Sequence, residues 1–144
     1  MSGTDRRSVM AGPVALRWNE LELRMFAARH HVPGLRALVA ERAMRADHDL
    51  DFVDDARLAV DEVCAIMLVN CGPTDMLTVR LLIDADHVEI NAEAAMGTRG
   101  EATVGGLSLR VLESLADSLD HGVAWSGHER VLRVCFARNR RRQR

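Results

Sequence analysis

Residues 55–64, Asp-Ala-Arg-Leu-Ala-Val-Asp-Glu-Val-Cys, lie inside a run from Phe52 to Asn70 in which Ala56, Ala59, Val63, Ile66 and Met67 recur every three or four positions. That spacing places the apolar side chains on one face of an α-helix. Cys71-Gly72-Pro73 stops the pattern, because proline cannot continue a helix and glycine suits the turn after one. Upstream, the acidic knot Asp47-His48-Asp49-Leu50-Asp51 offers caps: Asp51 followed by Asp54 resembles a weak capping box, and Asp54 and Asp55 suit the positive end of the helix dipole. Leu58, Glu62 and Ile66 fall on one line at i, i+4 and i+8. Glu62 is therefore expected at the rim of the apolar face, partly desolvated.

Before this helix, Pro33-Gly34 opens another, with Leu35, Leu38, Val39 and Ala43 on its inner face and Arg36, Glu41, Arg42 and Arg45 mostly outside. Residues 20–29 alternate, with Leu21, Leu23, Met25 and Ala27 against Glu20, Glu22 and Arg24, as in a half-buried strand. Residues 1–18 mix Gly, Ser, Arg and Pro without a period and are expected to form a flexible leader. Downstream, residues 77–84 and 87–93 read as two strands joined by a short hairpin. A small-residue loop over 97–106 leads into a helix over 107–119, striped by Leu107, Val111, Leu112, Leu115 and Leu119. Strands over 122–126 and 130–137, joined at Gly127-His128, close the pattern. The expected class is α+β: a two-layer sandwich with a mixed or antiparallel sheet and about three helices on one face, spanning 19–137 and followed by a basic tail over 138–144.

The chain has 144 residues, enough for one domain that buries roughly two thirds of its unfolded surface. Hydrophobic residues make up 48% and charged ones 28%, which excludes disorder, collagen and coiled coil as whole-chain descriptions. The longest apolar runs, such as residues 63–69, fall far short of the ~20 residues of a membrane span, and no signal peptide is evident. All 19 basic residues are arginine and none is lysine, a bias that GC-rich codons produce. The net charge of −2 argues against direct nucleic-acid binding, although five arginines crowd into 138–144. Cys64, Cys71 and Cys135 have no C-x-x-C spacing, and the neighbours His30 and His31 are not at i, i+4. Neither a metal centre nor a disulfide framework is expected, and a reduced cytoplasmic compartment fits.

The element order and the stretch 55–64 resemble the GHKL (histidine-kinase-like ATPase) superfamily, and more closely the small bacterial anti-sigma factors with serine-kinase-like domains, whose helix motif has the form D-x-x-L-A-V-x-E-x-C. A second match is Gly106-Leu107 with Val111-Leu112 and Leu115-Ala116-Asp117, similar to the family's glycine-leucine helix ending in L-x-D. The resemblance implies that Glu62 is a general base, taking a proton from the group that attacks a phosphate. It also implies that Gly100, Gly105, Gly106 and Leu107 are the remnant of a phosphate-binding loop ahead of a helix N-terminus.

Three departures weaken that implied ATP site. Where the family has an asparagine for Mg²⁺, this chain has Ile66, and Asn70 lies one turn further on. Where it has an aspartate for adenine, this chain has Ala94, with Glu93 one residue off and so on the opposite face of a strand. No lysine exists to reach a phosphate. The expected function is therefore sequestration of an alternative RNA polymerase sigma factor, with release by an anti-anti-sigma protein. The alternative is an ATP-dependent serine kinase acting on that anti-anti-sigma protein, with ATP, and Mg²⁺ only alongside it, as cofactors. A homodimer stays open on the sequence.

Overall fold

The computed structural model describes residues 15–97 and 100–141, so the leader through residue 14 and the arginines of 142–144 lie outside the described residues. The chain runs β1 (Glu20–Phe26), a single 3-10 turn (Arg29–His31), α1 (Val32–Arg45), α2 (Leu50–Asn70), β2 (Met76–Ile83), β3 (His87–Ala95), α3 (Gly106–Leu115), β4 (Ser118–Ser126) and β5 (Glu129–Asn139). The strands form one sheet in the order β1-β2-β3-β5-β4, and every pair is antiparallel. This is the α+β two-layer arrangement the periodicities predict, with the sheet wholly antiparallel. No described helix is long and apolar enough to cross a membrane.

Alternation decides which face of the sheet is covered. Leu77, Val79 and Leu81 of β2, Val88, Ile90, Ala92 and Ala94 of β3, and Leu132, Val134 and Phe136 of β5 are all buried, as strand residues two apart should be when helices cover one side. Against them pack Ala56, Ala59, Val60, Val63, Ile66 and Met67 of α2 and Leu35, Val39 and Ala43 of α1. α1 lies on β2, and α2 lies on β3 and β5. The opposite face is held by ion pairs: Arg80–Glu22 at 2.9 Å, Arg133–Asp120 at 2.7 Å and Arg17–Glu89 at 2.7 Å.

Several boundaries differ from the sequence expectation. β1 ends at Phe26, because Ala27 is drawn inward with its N–H on the Asp75 carbonyl, and the chain then makes the 3-10 turn. The N-cap of α2 is Asp49, whose side chain accepts from the Phe52 N–H at 2.8 Å, so the helix starts at Leu50 and the capping box at Asp51 and Asp54 does not form. α3 stops at Leu115; Ala116 is extended, Asp117 donates to the Ala137 carbonyl, and Leu119 belongs to β4, opposite Phe136. β5 runs past residue 137 to Asn139, so Arg138 is part of the sheet rather than of a basic tail. Its guanidinium reaches Asp55 at 2.7 Å and lies over the Phe52 ring. Phe52 also stacks on buried His48, whose Nε2 meets the Asp84 carbonyl at 2.6 Å.

Candidate functional site

Glu62 sits half-buried on α2 at the rim of the apolar face, between exposed Leu58 one turn before it and buried Ile66 one turn after it, as the i, i+4, i+8 line predicts. The first turn of α3 is its partner: Ser108 Oγ donates to Glu62 Oε1 at 2.7 Å. A carboxylate held by one hydroxyl keeps lone pairs free for a second donor. Gly106 opens α3 with φ +68, a left-handed conformation that glycine adopts without the Cβ clash. Leu107, next to it, is 75% exposed. Gly105 is extended, and a Cβ at Gly100 or Gly105 would meet nothing within 4 Å, so neither is required by crowding. The Gly100 carbonyl accepts from Arg130 at 3.0 Å. The fold thus brings Glu62, Gly106 and Leu107 to one end of the helical layer, beside the loop that carries Gly100 and Gly105.

That loop is tied down by Asn70. Its Nδ2 donates to the Ile66 carbonyl at 2.8 Å and to the Thr103 carbonyl at 2.9 Å, and its Oδ1 accepts from the Thr103 N–H at 2.7 Å. Asn70 is buried, and each polar atom of its side chain is engaged, so its amide acts as a clamp between α2 and the loop. Neither this clamp nor the Ser108 bond was legible in the sequence. Thr103 is 33 residues from Asn70, and Ser108 is 46 from Glu62, so no local period connects them.

The positions that depart from the family pattern have become core. Ile66 is 3% exposed. Ala94 is equally buried, on the helix-facing side of β3 between Leu77 and Leu132. Met96 follows just beyond the end of β3, with a buried side chain and its N–H on the Arg130 carbonyl. Glu93 lies on the other face, beside Arg80, as the one-residue slip requires. Burial pushes the Glu93 carboxyl above its ordinary range, against the pull of Arg80 and with Glu22 adding to the rise. A magnesium nucleotide of the kind the resemblance implies needs a metal ligand at 66 and an acceptor at 94; an isoleucine and an alanine supply neither, and this set does not fit it. Among the described residues, no three of His, Cys, Asp or Glu converge on a metal-sized site.

No family model matches the chain. Among curated proteins it is 38% identical over 101 residues to the anti-sigma-F factor RsbW of Mycobacterium tuberculosis, in strain CDC 1551 / Oshkosh and in strain ATCC 25618 / H37Rv. The match takes in 69% of this chain and 59% of each relative, so the chain spans well under two thirds of the length of the curated relatives it matches. This likeness supports the anti-sigma factor family for the chain.

Proposed function

We propose that the chain is an anti-sigma factor working as a binding module: it sequesters an alternative RNA polymerase sigma factor and gives it up when an anti-anti-sigma protein binds in its place. The observation that carries this reading is the 38% identity to proteins named anti-sigma-F factor, over a span that takes in most of the chain. The burial of Ile66 and Ala94 supports a mechanism that does not run through phosphoryl transfer, because such catalysis rests on metal and phosphate positioning. Missing contacts of that kind cost several kcal/mol of transition-state stabilisation, on the order of 10²-fold or more in rate.

The retained Glu62, held by Ser108 at 2.7 Å, favours the kinase as the second reading. One experiment separates them. The purified chain is mixed with each alternative sigma factor of its host, and binding is followed by calorimetry and by inhibition of transcription in vitro. Anti-anti-sigma protein is then added, with and without ATP and Mg²⁺. Binding and release in the absence of nucleotide are expected. Serine phosphorylation of the anti-anti-sigma protein that disappears in Glu62→Ala would establish the kinase instead, and failure to bind any sigma factor would refute the anti-sigma reading.

A further inference from the structure

Near the start of α2, three segments are tied together: the turn between α1 and α2, the β2–β3 hairpin, and the end of β5 with the residues just beyond it. Beside these ties lies a cavity of about 120 Å³, lined by the rings of His48 and Phe52 and by Arg138, Arg140 and Arg141. It has room for several water-sized groups, at the ~10–15 Å³ that each needs, but not for a whole nucleotide. Glu62 is ten residues along α2 from Phe52, about 15 Å down the axis, so this cavity is separate from the site at Glu62.

Its polar groups are only partly answered by the protein. Arg138 is paired with Asp55 at 2.7 Å, yet its buried Nε has no partner among the described residues. Arg140 is held by neutral groups, donating from Nη1 to the Ala85 carbonyl at 3.3 Å and from Nη2 to the Asp47 carbonyl at 3.1 Å. Arg141 is exposed, and neither it nor Arg140 forms an ion pair among the described residues. His48 is 7% exposed. Its Nε2 meets the Asp84 carbonyl, which can only accept, so Nε2 carries the proton and Nδ1 of the neutral ring is a buried acceptor without a partner. Phe52 fixes the arrangement, stacked on His48 and covered by the Arg138 guanidinium. Two carboxylates also line the cavity: Asp49, whose Oδ1 is taken by the Phe52 N–H, and Asp51 in the first turn of α2.

We propose that this cavity binds a phosphoryl group, carried by inorganic phosphate or by a small phosphate monoester. Guanidinium groups suit the oxygens of phosphate better than any other side chain, and Arg140 and Arg141 bring charge that no carboxylate neutralises. The positive end of the 21-residue α2 adds to their pull. Arg138 Nε supplies a further donor. His48 selects phosphate among oxyanions: a phosphate monoester has a second pKa of about 6, so it still carries a proton over part of the neutral range and can donate it to Nδ1, whereas sulfate has none to give. Asp51 opposes the ligand and limits its affinity. Because the site gathers groups from the α1–α2 turn, the start of α2 and the end of β5, a bound phosphate staples these segments and raises the unfolding midpoint with its concentration.

The site is tested on the chain alone, so its failure is distinct from failure of the anti-sigma reading. Inorganic phosphate and glycerol phosphate are each titrated into the full chain by calorimetry at constant ionic strength, with sulfate as the comparison and the His48 ring signals followed by NMR. One saturable site is expected for at least one of the two phosphates, with the His48 signals moving and sulfate several-fold weaker. The tighter of the two probes tells whether the free ion or a monoester is the ligand. Arg140→Gln and Arg141→Gln, each folded by circular dichroism, are expected to weaken binding about tenfold, and Asp51→Asn to strengthen it. Arg141 makes no bond within the described residues, so its replacement tests the site without disturbing the fold. Absence of saturable binding by either phosphate, sulfate bound as tightly as phosphate, an affinity unmoved by both arginine substitutions, or binding that leaves the His48 signals in place would each overturn the proposal.

Discussion

Asn70→Ala cuts the tie between α2 and the loop ahead of α3. The substitution removes the Nδ2 bond to the Thr103 carbonyl at 2.9 Å and the Thr103 N–H bond to Oδ1 at 2.7 Å, together with the bond to the Ile66 carbonyl. Thr103 is exposed, so its backbone groups return to water when the loop detaches, and the loss is the net worth of two hydrogen bonds, about 2 kcal/mol. In a domain of this size that lowers the unfolding midpoint by roughly 6 °C. Asn70→Asp is expected to cost more than Asn70→Ala, because a carboxylate would turn an acceptor toward the two carbonyls that now receive Nδ2. The assay is thermal unfolding by circular dichroism, with amide exchange at Thr103 followed in parallel. A midpoint within about 1 °C of the parent, with Thr103 still protected, would refute the clamp.

Acid unfolding should involve Glu89. The Arg17 guanidinium holds its carboxyl below the usual range, against burial and with help from His87, so this pair stabilises the fold above the ordinary carboxylate range and ceases to as pH falls through the depressed value. Glu89→Gln is therefore expected to cost up to about 1 kcal/mol at pH 7 and progressively less in acid, as read from urea midpoints across pH. Asp47→Gly relieves a non-glycine residue at φ 64 after α1 and is expected to stabilise by about 1 kcal/mol, read as a rise in midpoint. Burial, with Asp61 nearby, pushes the Cys64 thiol up to about 11, so at pH 8 a thiol reagent should label Cys64 only as the protein unfolds. Labelling of native Cys64 at the rate of a free thiol would contradict this.

The elements were legible where one period ran uninterrupted. Val79, Leu81 and Ile83 alternate, and Ala56, Ala59, Val63 and Met67 keep helical spacing; both patterns became core. They were misread where two periods overlap. Leu119 stands four residues after Leu115, as in a helix, and two before His121, as in a strand, and pairing with Phe136 in β5 settles the choice. Asp49 and Asp51 both have the chemistry of a cap, and only the backbone geometry at Asp49, with φ −71 and ψ 168, selects one. Glu62 could be placed at the rim from its own helix. Its bond to Ser108 could not, because that contact depends on how α3 docks on α2. The Asn70 clamp was hidden for the same reason.

The placement of β1 governs how the molecule assembles and comes apart. β2 and β3 close through a turn of a few residues, and so do β4 and β5, whereas β1 reaches β2 only after the chain has passed through α1 and α2. Bringing such distant ends together costs roughly 2–3 kcal/mol more loop-closure entropy than a tight hairpin. Leu21, Leu23 and Met25 recover only part of it, since each is only partly buried. β1 is therefore the unit that docks late and opens first, below the cost of global unfolding. Its amides should exchange ahead of those of β3 and β5, and the Arg17 bridge to Glu20 and Glu89 is the strap that slows its release.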